Sequence, residues 1–333
     1  MRLIAGLSER ARKEQLAVAM RERALRMERA RQQELPGGLL AFIRYFWHIL
    51  EPAKPFIEGW PLEALCLHLE AISRGDLPND HPGASERILT RLLANVPPGF
   101  MKSLTVNVFW PAWEWGPMEM PWLRYICFSY AAHLTERDNQ KFRDLVRSPQ
   151  YQEMWGHVVR LTGDGKIKIM NDAQGFKFAS SIGGVGTGER GDRVLLDDPH
   201  DVYKSESDVI RTGTVRWFKE TMSNRLNSMT ESVIVIIMQR VHEEDVSQAA
   251  IDEREYVHLC IPFEYELGRH CSTIIGWDDP REDDGVTAWD ERFPPGSMGK
   301  FKRQIYLWSG QYQQRPSPRG GGIIKDGYWQ AYE

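Results

Sequence analysis

Four short stretches of this sequence hold residue types whose spacing could do chemistry. The first is Val96-Pro97-Pro98-Gly99-Phe100-Met101-Lys102-Ser103-Leu104, which follows an apolar run and precedes a helical pattern. In that context a loop turns its backbone N–H groups inward around phosphate. Lys102 would then neutralise β- and γ-phosphate charge, and the Ser103 hydroxyl would hold Mg²⁺. The N-terminus of the following helix would favour the anion. The strict phosphate-loop pattern puts glycine where Val96 and Met101 stand here, so an ordinary Pro-Gly turn is the competing reading.

The second stretch, Arg193-Val194-Leu195-Leu196-Asp197-Asp198-Pro199-His200, is an apolar run that ends in paired carboxylates. At the C-terminal end of a strand, Asp197 could hold the Mg²⁺ shell while Asp198 polarises an attacking water. An Asp-Pro turn after a core strand is the plainer alternative. In the third stretch the apolar run Ser232 to Met238 ends in Gln239-Arg240-Val241-His242-Glu243-Glu244-Asp245. Gln239 could sense a γ-phosphate, whereas the acid cluster is what the first turn of a helix favours. The fourth, Gly183 to Asp192, carries five glycines and Arg190. Arg190 could stabilise transition-state charge on a nucleotide held by a neighbouring subunit, or be an exposed arginine on a glycine-rich turn.

Strands and helices must position these groups. Short β-rich runs at Leu92–Val96, Tyr125–Tyr130, Val194–Leu196, Ser232–Met238 and Tyr256–Ile261 alternate with helical patterns. The clearest helical patterns are Ala131–Val146 and Ser207–Leu226, and such alternation predicts a mostly parallel sheet covered on both faces. Lys166–Ser181 reads as an inserted hairpin. Ser8–Glu34 fits a solvent-rich amphipathic helix with many arginines, which Pro36-Gly37-Gly38 ends. The aromatic-rich segment Leu39–Ile72 reads as helical packing that leads into the main domain. The domain reading is therefore an N-terminal helical arm over 1–50, a catalytic domain over 51–318 and a flexible linker over 319–333 that begins at Arg319-Gly320-Gly321-Gly322.

The 333 residues are enough for a substantial core, and 42% hydrophobic with 26% charged residues is ordinary soluble usage. No run approaches the roughly eighteen apolar residues of a membrane span, and Glu9 and Arg10 come too early for a secretory signal. A cytosolic setting without membrane contact is expected. The net charge of -4 requires any grip on DNA to come from a local basic surface. Cys66, Cys127, Cys260 and Cys271 lack metal-ligand spacing, so buried thiols are expected.

The order of these motifs resembles the phage terminase large subunit family. The resemblance rests on the Pro97-Pro98-Gly99 loop, Phe128-Ser129-Tyr130 with Arg137 and Arg143 after it, and Thr187-Gly188 through Asp197-Asp198-Pro199-His200. Downstream it rests on Met238 to Asp245 and on Tyr312-Gln313-Gln314-Arg315-Pro316, and it spans roughly residues 40 to 325. It implies a RecA-like (ASCE P-loop) α/β ATPase with a mostly parallel central sheet flanked by helices, preceded by the N-terminal helical segment. It also implies ATP and Mg²⁺ as cofactors, with Pro97 to Leu104 cradling the nucleotide and Lys102 on its phosphates. Ser103 and Asp197 match the metal positions, Asp198 the water-activating carboxylate, and Gln239 the residue that couples hydrolysis to movement.

Arg190 is the trans-acting arginine in that reading, with Arg137 or Arg143 as replacements. The implied partners are double-stranded DNA, the portal protein, the terminase small subunit and further copies of the chain in a homo-oligomeric ring, in the host cell cytoplasm. Family members usually carry a C-terminal RNase H-like nuclease, and too few residues follow the glycine run to build one, so motor chemistry without cleavage is expected. Two other readings stay open: a helicase-like ATPase stimulated by nucleic acid, and a non-catalytic DNA-binding or portal-docking scaffold.

Overall fold

The computed structural model describes residues 38–75, 89–184 and 188–317. The Ser8–Glu34 arm, Val185 to Thr187 of the glycine-rich loop and the 319–333 linker lie outside the described residues. Eight strands form one sheet in the order β3-β4-β5-β2-β6-β7-β1-β8. They are β1 Arg91–Asn95, β2 Arg124–Ser129, β3 Leu161–Asp164, β4 Lys168–Asn171, β5 Phe176–Ser181, β6 Arg193–Asp197, β7 Val233–Met238 and β8 Val257–Cys260. From β5 to β8 every pairing is parallel, and β3 and β4 add an antiparallel edge. This is the α/β architecture expected from the alternating runs. β7 lies between the loop-bearing strand β1 and the carboxylate-bearing strand β6.

All six residues of Val233–Met238 are buried, because a central parallel strand is covered on both faces. Side chains alternate between those faces. Val233, Val235 and Ile237 join the larger core with Leu92, Ala94, Cys127 and Leu195. Ile234, Ile236 and Met238 join the smaller core with Leu93, Ile126, Phe128, Val194 and Leu196.

The larger core is covered by α1 (Gly38–Leu50), α2 (Trp60–Arg74), α4 (Ala132–Arg147), α5 (Pro149–Trp155) and a continuous helical run over 102–115, here α3. Along α1, Leu39, Phe42, Ile43, Phe46 and Trp47 are buried at helical spacing. Phe42 and Phe46 meet Tyr151 and Trp155, and Trp47 stacks on Phe109. Residues 38–50, grouped with the N-terminal arm in the sequence reading, thus share the core of the main domain. The smaller core is covered by α6 (Asp208–Thr221) and α7 (Val246–Glu253) through Phe218, Met222, Val246 and Ala250.

The hairpin read at Lys166–Ser181 exists as β4 and β5, but its second strand is no insertion. β5 pairs in parallel with β2 along its whole length, since buried Phe176 and Phe178 give it the same inward face as its neighbours. Residues 261–317 return along the sheet mainly as loops and short helical turns. The Gln313–Gln314 pair ties them down: Glu264 N donates to Gln313 Oε1 at 2.8 Å and Arg240 N to Gln314 Oε1 at 2.9 Å. All four cysteines are free thiols, and no helix among the described residues is long and apolar enough to cross a membrane.

Buried His68 and half-buried His258 make this core sensitive to acid. His68 hydrogen-bonds Ala64 O and Thr273 Oγ1, and His258 hydrogen-bonds Asn95 Oδ1. Burial lowers each imidazole to about 4. An imidazole held below its unfolded value of 6.5 takes up a proton on unfolding. Its contribution is fully present above about pH 6.5 and is lost as pH falls towards about 4. Urea unfolding followed across that window should give a falling stability, with a shallower slope in His258→Gln; equal slopes in the two proteins would contradict this origin.

Candidate active site

The loop after β1 gets its shape from three residue types. Pro97 and Pro98 fix φ, Gly99 turns the chain at φ 84°, and Met101 sits in the left-handed region at φ 60° directly before the helix. Met101 therefore adopts the backbone that glycine usually supplies in a phosphate loop, at a cost of roughly 1–2 kcal/mol for a side chain in that conformation. Packing offsets that cost. Met101 and Phe100 are buried, and Phe100 stacks on Phe293 with ring centroids 5.3 Å apart. Arg292 donates to Gly99 O at 2.6 Å and lies over the Trp289 ring.

Lys102 begins α3. Its ammonium group is buried and donates to Gln239 Oε1 at 2.6 Å, with Asp198 Oδ2 at 3.0 Å. Gln239 follows the last residue of β7 and Asp198 the last residue of β6, so one lysine joins a loop to the ends of two neighbouring strands. Successive strand residues point to opposite faces, which would separate Asp197 from Asp198. The turn at Asp198, with φ 41°, brings its carboxylate round to the lysine. Backbone bonds hold that turn, from Asp198 N to Ile237 O at 2.9 Å and from Tyr130 N to Asp198 O at 3.2 Å.

Asp197 faces α3 and is buried. Its Oδ2 accepts from Asn107 Nδ2 at 2.9 Å, and the Ser103 side chain lies near enough to the carboxyl to pull its titration down. Its Oδ1 is buried with no hydrogen-bond partner. Burial first, then the nearby Asp198 and Asp138, push the Asp197 carboxyl up to about 8, against the weaker pull of Lys102 and Ser103. Beyond it, His200 Nε2 accepts from Val246 N at 3.0 Å, so the imidazole caps α7 and its Nε2 carries no proton.

The loop, both carboxylates and Gln239 are thus brought together. The acid cluster after Gln239 is structural at Asp245, which caps α7 by accepting from Gln248 N and also accepts from Val241 N and Arg240 Nε. The other arginines stand apart. Arg137 pairs with Asp138 and Arg143 with Asp144, each its neighbour on α4. Exposed Arg190 lies beyond the N-terminal end of β6, where Gly191 N bonds Arg225 O. Seven residues of near-extended chain place it roughly 20 Å from Asp197, out of reach of the site in its own chain. Asn107 escaped the motif reading, although its position four residues after Ser103 puts both on one side of a helix. Beside the loop, Trp47, Glu51, Lys54, Pro55 and Arg292 wall a cavity of about 420 Å³.

No family model matches the chain and no curated protein matches it. Among solved structures the chain is similar to the HK97 bacteriophage large terminase, at a TM-score of 0.42 and 15% identity. That match covers 69% of this chain and 45% of the terminase chain, so the chain spans less than half of that protein.

The raised Asp197 carboxyl has a stability consequence of opposite sign to the histidines. A carboxyl that titrates near 8 when folded and near 3.8 when unfolded binds a proton on folding between those values. It therefore withdraws stability as pH rises through that window. Asp197→Asn cannot ionise, so its urea midpoint should exceed that of the parent protein at about pH 8, and the difference should shrink towards about pH 4. A difference independent of pH would show that the carboxyl is not held neutral in the fold.

Proposed function

We propose that this chain is the ATP-hydrolysing motor of a viral DNA-packaging machine of the terminase large-subunit kind. The observation that carries the reading is the meeting of Lys102 with Asp198 and Gln239, with Ser103 the next residue of α3 and Asp197 the last residue of β6. These groups come from three separate segments and supply a phosphate cation, two acids and a polar sensor. Lys102 would bind the β- and γ-phosphates from the loop formed by Pro97 to Leu104. The Ser103 hydroxyl and the unpartnered Asp197 oxygen are hard oxygen donors of the kind Mg²⁺ takes alongside phosphate oxygens and water. The ion would neutralise charge on the transferred phosphoryl group.

In this state Lys102 is shared with the protein's own acceptors. Phosphate oxygens would compete for it, and Asp198 would then accept a proton from the attacking water. Gln239 loses its lysine partner at the same time, and the next residue along, Arg240, is tied through its backbone to Gln314. That path would couple hydrolysis to movement. The cavity beside the loop is of a size small-molecule sites use. Arg190 serves a neighbour's site, because it stands at the far end of its own sheet. Double-stranded DNA is the translocated substrate, with the portal protein, the terminase small subunit and a homo-oligomeric ring of this chain as partners in the host cytoplasm.

Steady-state ATP hydrolysis, measured over a range of protein concentrations with and without double-stranded DNA, tests this reading. Lys102→Ala and Asp198→Asn should each lower turnover by about 100-fold or more. Turnover per subunit should rise with concentration, and Arg190→Ala should remove that rise. Hydrolysis that survives both site substitutions would refute the assignment, and a rate per subunit independent of concentration would remove Arg190 from it.

A further inference from the structure

The side of α3 that follows Lys102 carries a polar group with no assigned role. Asn107 is buried against Asp197, and it belongs to the π-helical turn Thr105–Phe109 in the middle of α3. An isolated π turn inside an α-helix frequently marks a functional position, because the wider turn redirects side chains that a regular helix would leave elsewhere. Here it adjoins the segment that presents Ser103 and Asn107 to one carboxyl. The amide donates to Asp197 Oδ2 at 2.9 Å, and the hydroxyl approaches the same group. The remaining polar atom of each partner, Asn107 Oδ1 and Asp197 Oδ1, is buried without a hydrogen bond.

A buried amide that leaves one of its own atoms unsatisfied is expensive as packing alone, since a leucine of similar volume would avoid that cost. The geometry points to Asn107 as a positioning residue for Asp197: it fixes one carboxylate oxygen so that the other is presented, with the Ser103 hydroxyl, to a divalent cation. This rests on the nucleotide-site reading of Lys102, Ser103 and Asp197. Asn107 touches neither the nucleotide nor the ion in this assignment and acts only through the carboxylate. Neutral donors of this kind orient metal-binding carboxylates, and their loss typically lowers metal affinity about 10–100-fold.

The test separates metal dependence from folding. Equilibrium binding of a fluorescent non-hydrolysable ATP analogue is measured in EDTA and over a Mg²⁺ titration, for the parent protein, Asn107→Leu and Asn107→Ala, with thermal melting of each. The assignment expects the Mg²⁺ concentration for half-maximal enhancement to rise at least about 10-fold in both variants, while binding in EDTA changes less than about two-fold. A purely structural asparagine would lower the melting temperature and leave the Mg²⁺ midpoint where it is, which would overturn the assignment. If a variant melts too low to assay, the other supplies the midpoint, because leucine preserves volume and alanine avoids overpacking. Should the parent protein itself bind the analogue without any response to Mg²⁺, the reading of Ser103 and Asp197 as metal positions fails, and the role of Asn107 fails with it.

Discussion

A single buried lysine holds the two halves of this site together. The Lys102 ammonium group stands between Asp198 and Gln239, at the point where the β1 loop meets the ends of β6 and β7. Three acids gather there, since Asp197 lies within the field of both Asp198 and Asp138. Charges buried together cost several kcal/mol unless they are paired or neutralised. Asp138 has Arg137, Asp198 has Lys102, and Asp197 is left with neutral donors. Burial and the neighbouring acids raise the Asp197 carboxyl, and a divalent cation would answer the same deficit with charge.

The frame around that point is built for position. Asp197 pairs across the sheet with Ser129 on one side and Ile237 on the other, so its backbone is fixed by two parallel neighbours. At the opposite end of β6, Arg193 is buried against Glu114 at 2.8 Å, and Tyr125 also hydrogen-bonds that carboxylate. This pair ties α3 to the sheet at its far end, as Lys102 does at the near end. Breaking a buried pair of this kind strands a charge and typically costs about 3–5 kcal/mol. The helix that presents Lys102, Ser103 and Asn107 is thereby clamped at both ends.

Much of this was legible in the sequence because buried parallel strands read as apolar runs. The five runs chosen as strands correspond to β1, β2, β6, β7 and β8, within a residue or two at each end. The loop and carboxylates were legible because proline, glycine, lysine and paired aspartates sit at strand ends, where chemistry and turn geometry coincide. Other features depend on tertiary contacts. The pairing of β5 with β2 carries no local mark, since a hairpin strand and a sheet strand share one pattern. The backbone at Met101 is set by packing, against the preference of the residue. Asn107 sits inside an apolar helix, where an asparagine looks incidental until Asp197 is brought beside it. The distance of Arg190 from its own site follows from the direction of β6, which spacing along the chain does not encode.

The central claim is that the loop before Lys102 binds nucleotide phosphate despite Met101 in the place of glycine. Calorimetric titration of a Mg-ATP analogue into the protein and into Lys102→Ala tests it most directly. The account predicts one binding event per chain in the parent protein and its loss in the variant. A parent protein that binds no analogue, or a variant that binds it as tightly as the parent, would contradict it.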